Sequence, residues 1–238
     1  MDVIPAIDIR GGRCVRLFQG RYDRETVFGE DPVAQAREWE AQGARLIHVV
    51  DLDGAREGRP VNIDVVGRMA AAVEAAIEVG GGVRTNETIE TLLAAGVKRI
   101  VIGTRALREP DWARVVAQGH PGRVVLGLDA RDGRVAAQGW TETSDVAVLD
   151  LARDLDEAGF AAIIYTNIAR DGAMTGPDVE GTRGLAEQVT TPVIASGGIA
   201  SLANVRALAG LPIAGMIVGR SLYEGTVSLP EAIRVVGL

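Results

Sequence analysis

The sequence has few cysteines, histidines and aromatic residues. Its single cysteine, Cys14, excludes an internal disulfide, which is usual for proteins of a reducing compartment. The two histidines, His48 and His120, lie far apart and have no Cys or Glu partner at the spacing of metal ligands. We therefore expect no metal and no cofactor, with His48 packed in a strand and His120 in a loop.

The sequence also lacks an excess of positive charge and long apolar segments. A net charge of −7 disfavours general binding to nucleic acid, whose phosphates attract basic surfaces. Charged residues interrupt apolar stretches such as AAAVEAAIEV, so no segment is expected to cross a bilayer. The start, MDVIPAIDIR, resembles neither a signal nor a transit peptide. We expect a cytoplasmic monomer that binds neither nucleic acid nor membrane.

Short apolar runs alternate with amphipathic helical patterns along all 238 residues. Continuous apolar runs are typical of parallel strands covered by helices on both faces. The pattern predicts one α/β domain, either a barrel or a doubly wound open sheet. The eight strand candidates are VIPAID, RLIHVVD, IEVGG, RIVIG, VVLGLD, AAIIYT, PVIASGG and GMIVG.

Several residues mark where helices should begin and end. Asp31 and Pro32 suit an N-cap and a first helical position. Ser228 and Glu231 form the pattern of a capping box. Three glycines stand where helices should end: Gly43, Gly96 and Gly159.

An internal repeat favours the barrel over the open sheet. The segments 8–13 and 129–134 share the pattern D-x-R-x-G-R. Glycine pairs follow the third and seventh strand candidates, and in both cases the glycine after the next strand comes 21 residues later. The repeat predicts a (β/α)8 TIM barrel made of two half-barrels, residues 1–122 and 123–238.

Glycines at four strand ends predict two anion sites. Glycine lets a backbone approach a phosphate closely, and barrels commonly bind phosphate after strands seven and eight. The same pattern after strands three and four predicts a second site, and hence a ligand with a phosphate at each end. The residues of the two predicted cradles are Gly81, Gly82, Gly103 and Thr104 in one half, and Gly197, Gly198, Gly219 and Arg220 in the other.

Asp8 and Asp129 end the first and fifth strands, which face each other across an eight-stranded barrel. A single Asp after a strand is usually a turn residue, but a matched pair can supply one group that donates a proton and one that accepts it. Burial can keep one of two carboxyl groups protonated while the other stays ionised.

The sequence resembles the phosphoribosylformimino-5-aminoimidazole carboxamide ribotide isomerase family of histidine biosynthesis. The motifs that carry the resemblance run through the whole chain: IPAIDIRGGRCVRL, HVVDLDGA, VGGGVR, GLDARDG followed by GW, YTNIARDG, ASGGI and VGRSLYEG. The resemblance implies an Amadori rearrangement of a bis-phosphorylated aminoaldose without a cofactor. It implies that Asp8 is the general base at sugar C2 and Asp129 the general acid. Thr166 would support the acid step, or merely cap its strand, and Asp171 would contact substrate.

Further residues follow by matching the same motifs. Trp140 would stack on the imidazole ring of the substrate. Arg84 would reach a phosphate or the carboxamide. Asp51 would contact the ligand or orient a loop, whereas Arg16 and Arg21 would only solvate the rim.

Three alternatives remain. The cyclase subunit of imidazole glycerol phosphate synthase has a similar duplicated barrel, but it normally reads C-L-D where this chain has AID at 6–8, and a lysine near Arg16. A broader isomerase would also accept phosphoribosyl anthranilate. A barrel that only binds a bis-phosphate would need the cradles but not the aspartate pair.

Overall fold

The computed structural model describes residues 1–237. Its strands are β1 (Asp2–Arg10), β2 (Arg13–Phe18), β3 (Arg21–Gly29), β4 (Leu46–Asp51), β5 (Ala76–Gly80), β6 (Arg99–Ile102), β7 (Val124–Arg131), β8 (Arg134–Ala137), β9 (Glu142–Ala147), β10 (Ala162–Asn167), β11 (Val193–Ser196) and β12 (Gly215–Val218). Eight of them, β1, β4, β5, β6, β7, β10, β11 and β12, pair in parallel, and the β7–β10 and β1–β12 pairings close the ring. The predicted barrel is therefore confirmed, and the open sheet is excluded.

An antiparallel hairpin extends the first barrel strand of each half. Strands β2 and β3 follow β1, and β8 and β9 follow β7. None of these four strands was among the eight predicted from the sequence. The residues of β3 and β9 are mostly polar and exposed and show no apolar run. The hairpins stand at equivalent places in the repeat, at the ends of the strands that carry Asp8 and Asp129.

Helices cover the outside of the barrel between successive strands. They are α1 (Pro32–Ala41), α2 (Leu52–Glu57), α3 (Ile63–Ala72), α4 (Asn86–Ala94), α5 (Thr104–Arg108), α6 (Pro110–Gly119), α7 (Val148–Leu155), α8 (Val179–Ala186), α9 (Leu202–Ala209), α10 (Arg220–Tyr223) and α11 (Leu229–Val235). None of these described helices is long and apolar enough to cross a membrane.

Most of the predicted helix ends are confirmed. The Asp31 side chain accepts a hydrogen bond from the Val33 amide, and Pro32 opens α1. Gly43 and Gly96 directly follow the C-caps of α1 and α4 and have positive φ angles of 102° and 95°. Gly159 also has a positive φ angle, 95°, but α7 ends four residues earlier, at Leu155. The prediction of a capping box before α11 was wrong. Ser228 holds the N-cap position, but its side chain makes no capping hydrogen bond. The Glu231 carboxylate lies 3.9 Å from the Arg234 guanidinium, one helical turn further on.

Two apolar layers stabilise the barrel. The larger layer lies between the outer faces of the strands and the helices. The smaller one fills the barrel interior and consists of Ile4, Ala6, Leu46, Val125, Ala162, Ile164, Ile194 and Ile217. Because the interior is packed, polar groups with access to a ligand must lie at its ends, and the carboxyl ends of the strands form the mouth.

Candidate active site

A cavity of about 220 Å³ opens at the carboxyl ends of the barrel strands. Both halves of the barrel contribute to its wall. The lining residues that the sequence predicted are Asp8, Gly81, Gly82, Arg84, Gly103, Thr104, Asp129, Trp140, Thr166 and Asp171. The predicted acid–base pair, its supporting groups and one complete cradle thus share one cavity.

Asp8 is held by a buried cation. It lies at the end of β1 and is 8% exposed, and the Arg16 guanidinium on β2 donates a hydrogen bond to its carboxylate at 2.7 Å. Burial raises the pKa of Asp8 above its ordinary value, and the charge of Arg16 offsets part of this rise. The adjacent cation favours the ionised form of this carboxyl group.

Asp129 has neutral partners. It lies on β7 directly opposite Thr166 on β10, and the indole N–H of Trp140 donates to its carboxylate at 2.7 Å. Burial raises the pKa of Asp129, while the hydrogen bonds from Trp140 and Thr166 lower it less than burial raises it. The two aspartates occupy matching positions, but only Asp8 has an ion-pair partner.

Asp171 brings a third carboxylate to the cavity. It follows β10, and its carboxylate lies 4.0 Å from the Arg16 guanidinium. Burial raises its pKa, and the charge of Arg16 lowers it in part. Arg16 therefore connects Asp8 and Asp171, and it is itself only 7% exposed. The expectation that Arg16 only solvates the rim was wrong, because hairpin β2–β3 folds its side chain inward.

Arg21 does lie on the rim, where it is exposed and pairs with Asp23 at 2.7 Å. The sequence did contain a sign that Arg16 is buried. Arg16 lies between two apolar residues, Val15 and Leu17, which are both buried. The position of Arg16 becomes clear only once the polar hairpin is known to fold over the mouth.

The first cradle is open to the cavity. Gly81 and Gly82 have φ angles of 104° and 76°, values that favour glycine, and both line the wall with Gly103 and Thr104. The Thr104 hydroxyl oxygen accepts a hydrogen bond from the Gln138 amide at 3.1 Å, which ties the cradle to the loop that carries Trp140. Arg84 lies beside the same cradle.

The second cradle is covered. A side chain at Gly219 would collide with the Arg16 guanidinium. Gly197 and Gly198 are buried, whereas Gly81 and Gly82 of the first cradle are half-buried. Arg220 donates a hydrogen bond to the Gly172 carbonyl at 3.1 Å and pairs with Glu224. The structure thus does not bring Gly197, Gly198, Gly219 or Arg220 to the cavity wall. The loop after β10 and Arg16 stand between them and the mouth.

Asp51 is also away from the cavity wall. It is 2% exposed and accepts hydrogen bonds from the amides of Gly54, Val61 and Asn62 and from the Asn62 side chain, at 2.7–2.9 Å. These contacts fit the expectation that Asp51 orients a loop. They leave no free carboxylate oxygen for a ligand, so its assignment as a substrate contact is not favoured.

His48 lies on β4, buried as expected, but it also lines the cavity. Its Nδ1 atom is 2.8 Å from the Glu78 carboxylate. His120 follows α6, where it contacts Glu90 at 2.9 Å. Within residues 1–237, no group of three or more His, Cys, Asp or Glu side chains is arranged to hold a metal ion.

Comparisons with known proteins agree with the motifs. The family described as histidine biosynthesis protein matches residues 2–228. A relative from Alkalilimnicola ehrlichii is 52% identical over 236 residues, covering 98% of this chain and 95% of its own. Relatives from Picosynechococcus and Acaryochloris marina are each 50% identical over 240 residues, covering all of this chain and 94% and 93% of their own.

All three relatives are named 1-(5-phosphoribosyl)-5-((5-phosphoribosylamino)methylideneamino)imidazole-4-carboxamide isomerase. The similarity extends over the whole barrel, including both aspartate-bearing strands. The chain belongs to the histidine biosynthesis protein family.

Proposed function

We propose that this protein catalyses the isomerisation for which its relatives are named, the Amadori rearrangement of a bis-phosphorylated aminoaldose to an aminoketose. The observation that carries the proposal is the pair Asp8 and Asp129. The two carboxyl groups come from barrel strands one and five and line one cavity, with a cation beside one of them and neutral donors beside the other.

The reaction moves protons and needs no external electron donor. Asp129, as the acid, protonates the ring oxygen of the aminoaldose, and the C1–O bond breaks as the nitrogen lone pair forms a C=N bond. Asp8, as the base, removes the proton from C2, which gives an enolamine with a hydroxyl group at C2. The enolamine then gains a proton at C1 while this hydroxyl group loses its proton, which gives the C2 ketone. Each carboxyl group thus performs one transfer.

The surroundings of the two aspartates support these roles. Arg16 favours ionised Asp8, the form that a base requires. Asp129 has no cation within ion-pair distance among residues 1–237, and burial raises its pKa, which favours the protonated form that an acid requires. Thr166 and Trp140 fix the orientation of its carboxyl group.

The substrate would place one phosphate in each glycine cradle. The symmetric positions of the cradles around the aspartate pair support this arrangement. Occupation of the second cradle would require Arg16 to leave Gly219 and the loop after β10 to shift. Release of Arg16 from Gly219 would then accompany substrate binding.

All side chains assigned to the site come from one chain, which is compatible with a monomer. The single cysteine, Cys14, is buried and free, which fits a reducing compartment such as the cytoplasm. We propose both properties on these grounds.

The test is turnover of the aminoaldose by purified protein and by the variants Asp8→Asn and Asp129→Asn. Each variant should lose at least ~10²-fold in kcat, since each removes one proton-transfer group. Near-normal turnover by either variant would remove the role assigned to that residue. Phosphoribosyl anthranilate, assayed with the same preparation, determines whether the specificity is broader.

A further inference from the structure

Three polar side chains cross the interior of the first half-barrel. His48, Glu78 and Arg99 lie directly opposite one another on β4, β5 and β6. Glu78 is fully buried, with one carboxylate oxygen 2.8 Å from His48 Nδ1 and the other 2.6 Å from the Arg99 guanidinium. The contact with Arg99 is an ion pair whose atoms are not aligned as a hydrogen bond. We call these residues the polar row.

The second half-barrel has apolar residues at the same positions. Gly81 and Gly197 are 116 residues apart, and so are Gly103 and Gly219. The same offset places Ile164, Ile194 and Gly215 at the positions of His48, Glu78 and Arg99, and these three are also neighbours in the strand register. Since a buried ion pair is often no more stabilising than apolar packing, stability alone does not explain the polar row.

The polar row ends at the cavity. His48 lines the cavity wall, and within residues 1–237 its Nε2 atom has no hydrogen-bond partner. Burial acts to raise the pKa of Glu78, but the hydrogen bond and charge of His48 and the charge of Arg99 outweigh it and hold the pKa below its ordinary value. Glu78 is therefore an ionised acceptor, and the shared hydrogen atom belongs to His48 Nδ1.

We propose that Glu78 is a positioning residue for the reaction and acts through His48. By accepting the Nδ1–H bond, Glu78 sets the tautomer of the ring and leaves Nε2 as a hydrogen-bond acceptor facing the cavity. Arg99 holds Glu78 from the other side. Hydroxyl groups of a sugar chain are the donors that such an acceptor requires. This inference rests on the function proposed above.

The first test is Glu78→Gln, which keeps the shape of the side chain. Arg99 should attract the amide oxygen, so that the amide NH2 faces His48 Nδ1 and the ring proton moves to Nε2. Loss of one neutral hydrogen bond to substrate should lower kcat/KM about tenfold, mainly through KM. The melting temperature should fall, because the largely buried Arg99 guanidinium loses its ionised partner. The kinetics are therefore compared at a temperature at which both proteins stay folded. Kinetics equal to those of the wild type would overturn the proposal.

The second test observes the tautomer directly. Because the chain contains only two histidines, ¹⁵N-labelled histidine gives two imidazole rings, and the variant His120→Gln identifies the signals of His48. At a pH where the ring is neutral, the hydrogen should lie on Nδ1 in the wild type and on Nε2 in Glu78→Gln. A wild-type ring protonated at Nε2 would contradict the proposal whatever the kinetics.

A third variant separates positioning from packing. The triple variant His48→Ile, Glu78→Ile, Arg99→Ala imitates the apolar second half. Position 99 receives Ala instead of the Gly that stands at the matching position, because glycine weakens a strand. The triple variant should fold and lose at least as much kcat/KM as Glu78→Gln; wild-type kinetics would make the polar row purely structural. Ile194→Val, at the position that matches Glu78, is the control and should keep its activity. If the wild type does not convert the aminoaldose, the proposed function fails, while the tautomer experiment still reports on the polar row.

Discussion

Asp8 and Asp129 show how identical side chains at matching positions acquire different properties. Asp8 contacts a buried guanidinium, whereas Asp129 receives neutral hydrogen bonds from an indole and a hydroxyl. A nearby cation stabilises a carboxylate more than a neutral donor does. The environment, rather than the residue type, therefore supports the proposed roles of Asp8 as base and Asp129 as acid.

Replacing Arg16 should change the pH dependence of the reaction. Arg16→Met removes the charge that lowers the pKa of Asp8, so this pKa should rise and the acidic limb of the kcat/KM profile should move to higher pH. On the acidic limb we expect a ~10-fold loss for each pH unit by which the pKa rises, because the ionised fraction of a base falls about tenfold per unit once its pKa lies above the pH of the assay.

Arg16→Lys is the matched control, since it keeps the charge but not the planar guanidinium. It should retain more activity than Arg16→Met and leave the acidic limb closer to that of the wild type. An acidic limb that stays in place in Arg16→Met would show that Arg16 does not control the protonation of Asp8.

At the scale of elements, the loops after β4 and β10 are each held by a hydrogen bond between an Asp and an Asn side chain. The two residue types exchange places between the halves. In the first half, the Asn62 side chain donates to Asp51 at 2.7 Å. In the second half, 116 residues later, the Asn167 side chain donates to Asp178 at 2.9 Å. The acid lies on the strand in one half and at the helix cap in the other. One Asp and one Asn satisfy this loop in either order.

The exchanged Asp–Asn pair predicts that a second substitution restores stability lost by the first. Asp51→Asn should lower the free energy of unfolding by ~1–3 kcal/mol, because an amide group cannot accept all four hydrogen bonds that the carboxylate accepts. Adding Asn62→Asp imitates the second half and should recover at least half of the loss. Denaturant unfolding of Asp51→Asn, Asn62→Asp and the double variant measures the coupling free energy between the two residues. Additive losses would refute the equivalence of the two loops.

The glycine cradles predict a second result at this scale. Gly103→Ala should raise KM ~10-fold with a smaller change in kcat, because a methyl group would obstruct a phosphate in the first cradle. Gly219→Ala should raise KM and also lower kcat, because its methyl group would in addition displace the Arg16 guanidinium that contacts Asp8. Gly210→Ala is the control, since Gly210 is exposed, has a negative φ of −81° and has room for a methyl group. An unchanged KM in both cradle variants would argue against a bis-phosphorylated substrate.

At the scale of the whole molecule, the site lowers stability. Three carboxyl groups with raised pKa values, Asp8, Asp129 and Asp171, share one cavity, and their ionised forms are disfavoured by burial. For an aspartate whose pKa is higher in the folded state, folding is most favoured below the ordinary pKa and loses free energy as the pH rises through the folded value. The three carboxyl groups therefore destabilise the fold more at neutral pH than at acidic pH.

Asp129→Asn should therefore raise the free energy of unfolding at pH 7 by about 1 kcal/mol, a usual size for gains at functional sites. Asn can still accept the bond from Trp140, so the geometry is kept. The gain should shrink as the pH falls toward the ordinary value of an aspartate, ~3.9, where the wild type is protonated too. Melting curves at pH 7 and pH 4 test this, and an equal gain at both would refute the electrostatic cause.

The sequence by itself determined the barrel and most of its mouth. Apolar runs, helix signals and the repeated D-x-R-x-G-R and Gly-Gly patterns are local properties, so they identify the strands, the matched aspartates and the glycines at the strand ends. The half-barrel boundary near residue 122 stays a prediction and falls in the turn between α6 and β7.

Only the tertiary structure decided which of these groups meet. Arg16 lies on a polar hairpin whose path depends on contacts with a distant loop, such as the bond from the Gln19 amide to the Asp171 carbonyl at 3.1 Å. His48, Glu78 and Arg99 are scattered along 52 residues and become neighbours through parallel strand register. Contacts between residues far apart in the chain leave no local pattern, which is why the buried charges of the site and the covered second cradle became visible only in the folded molecule.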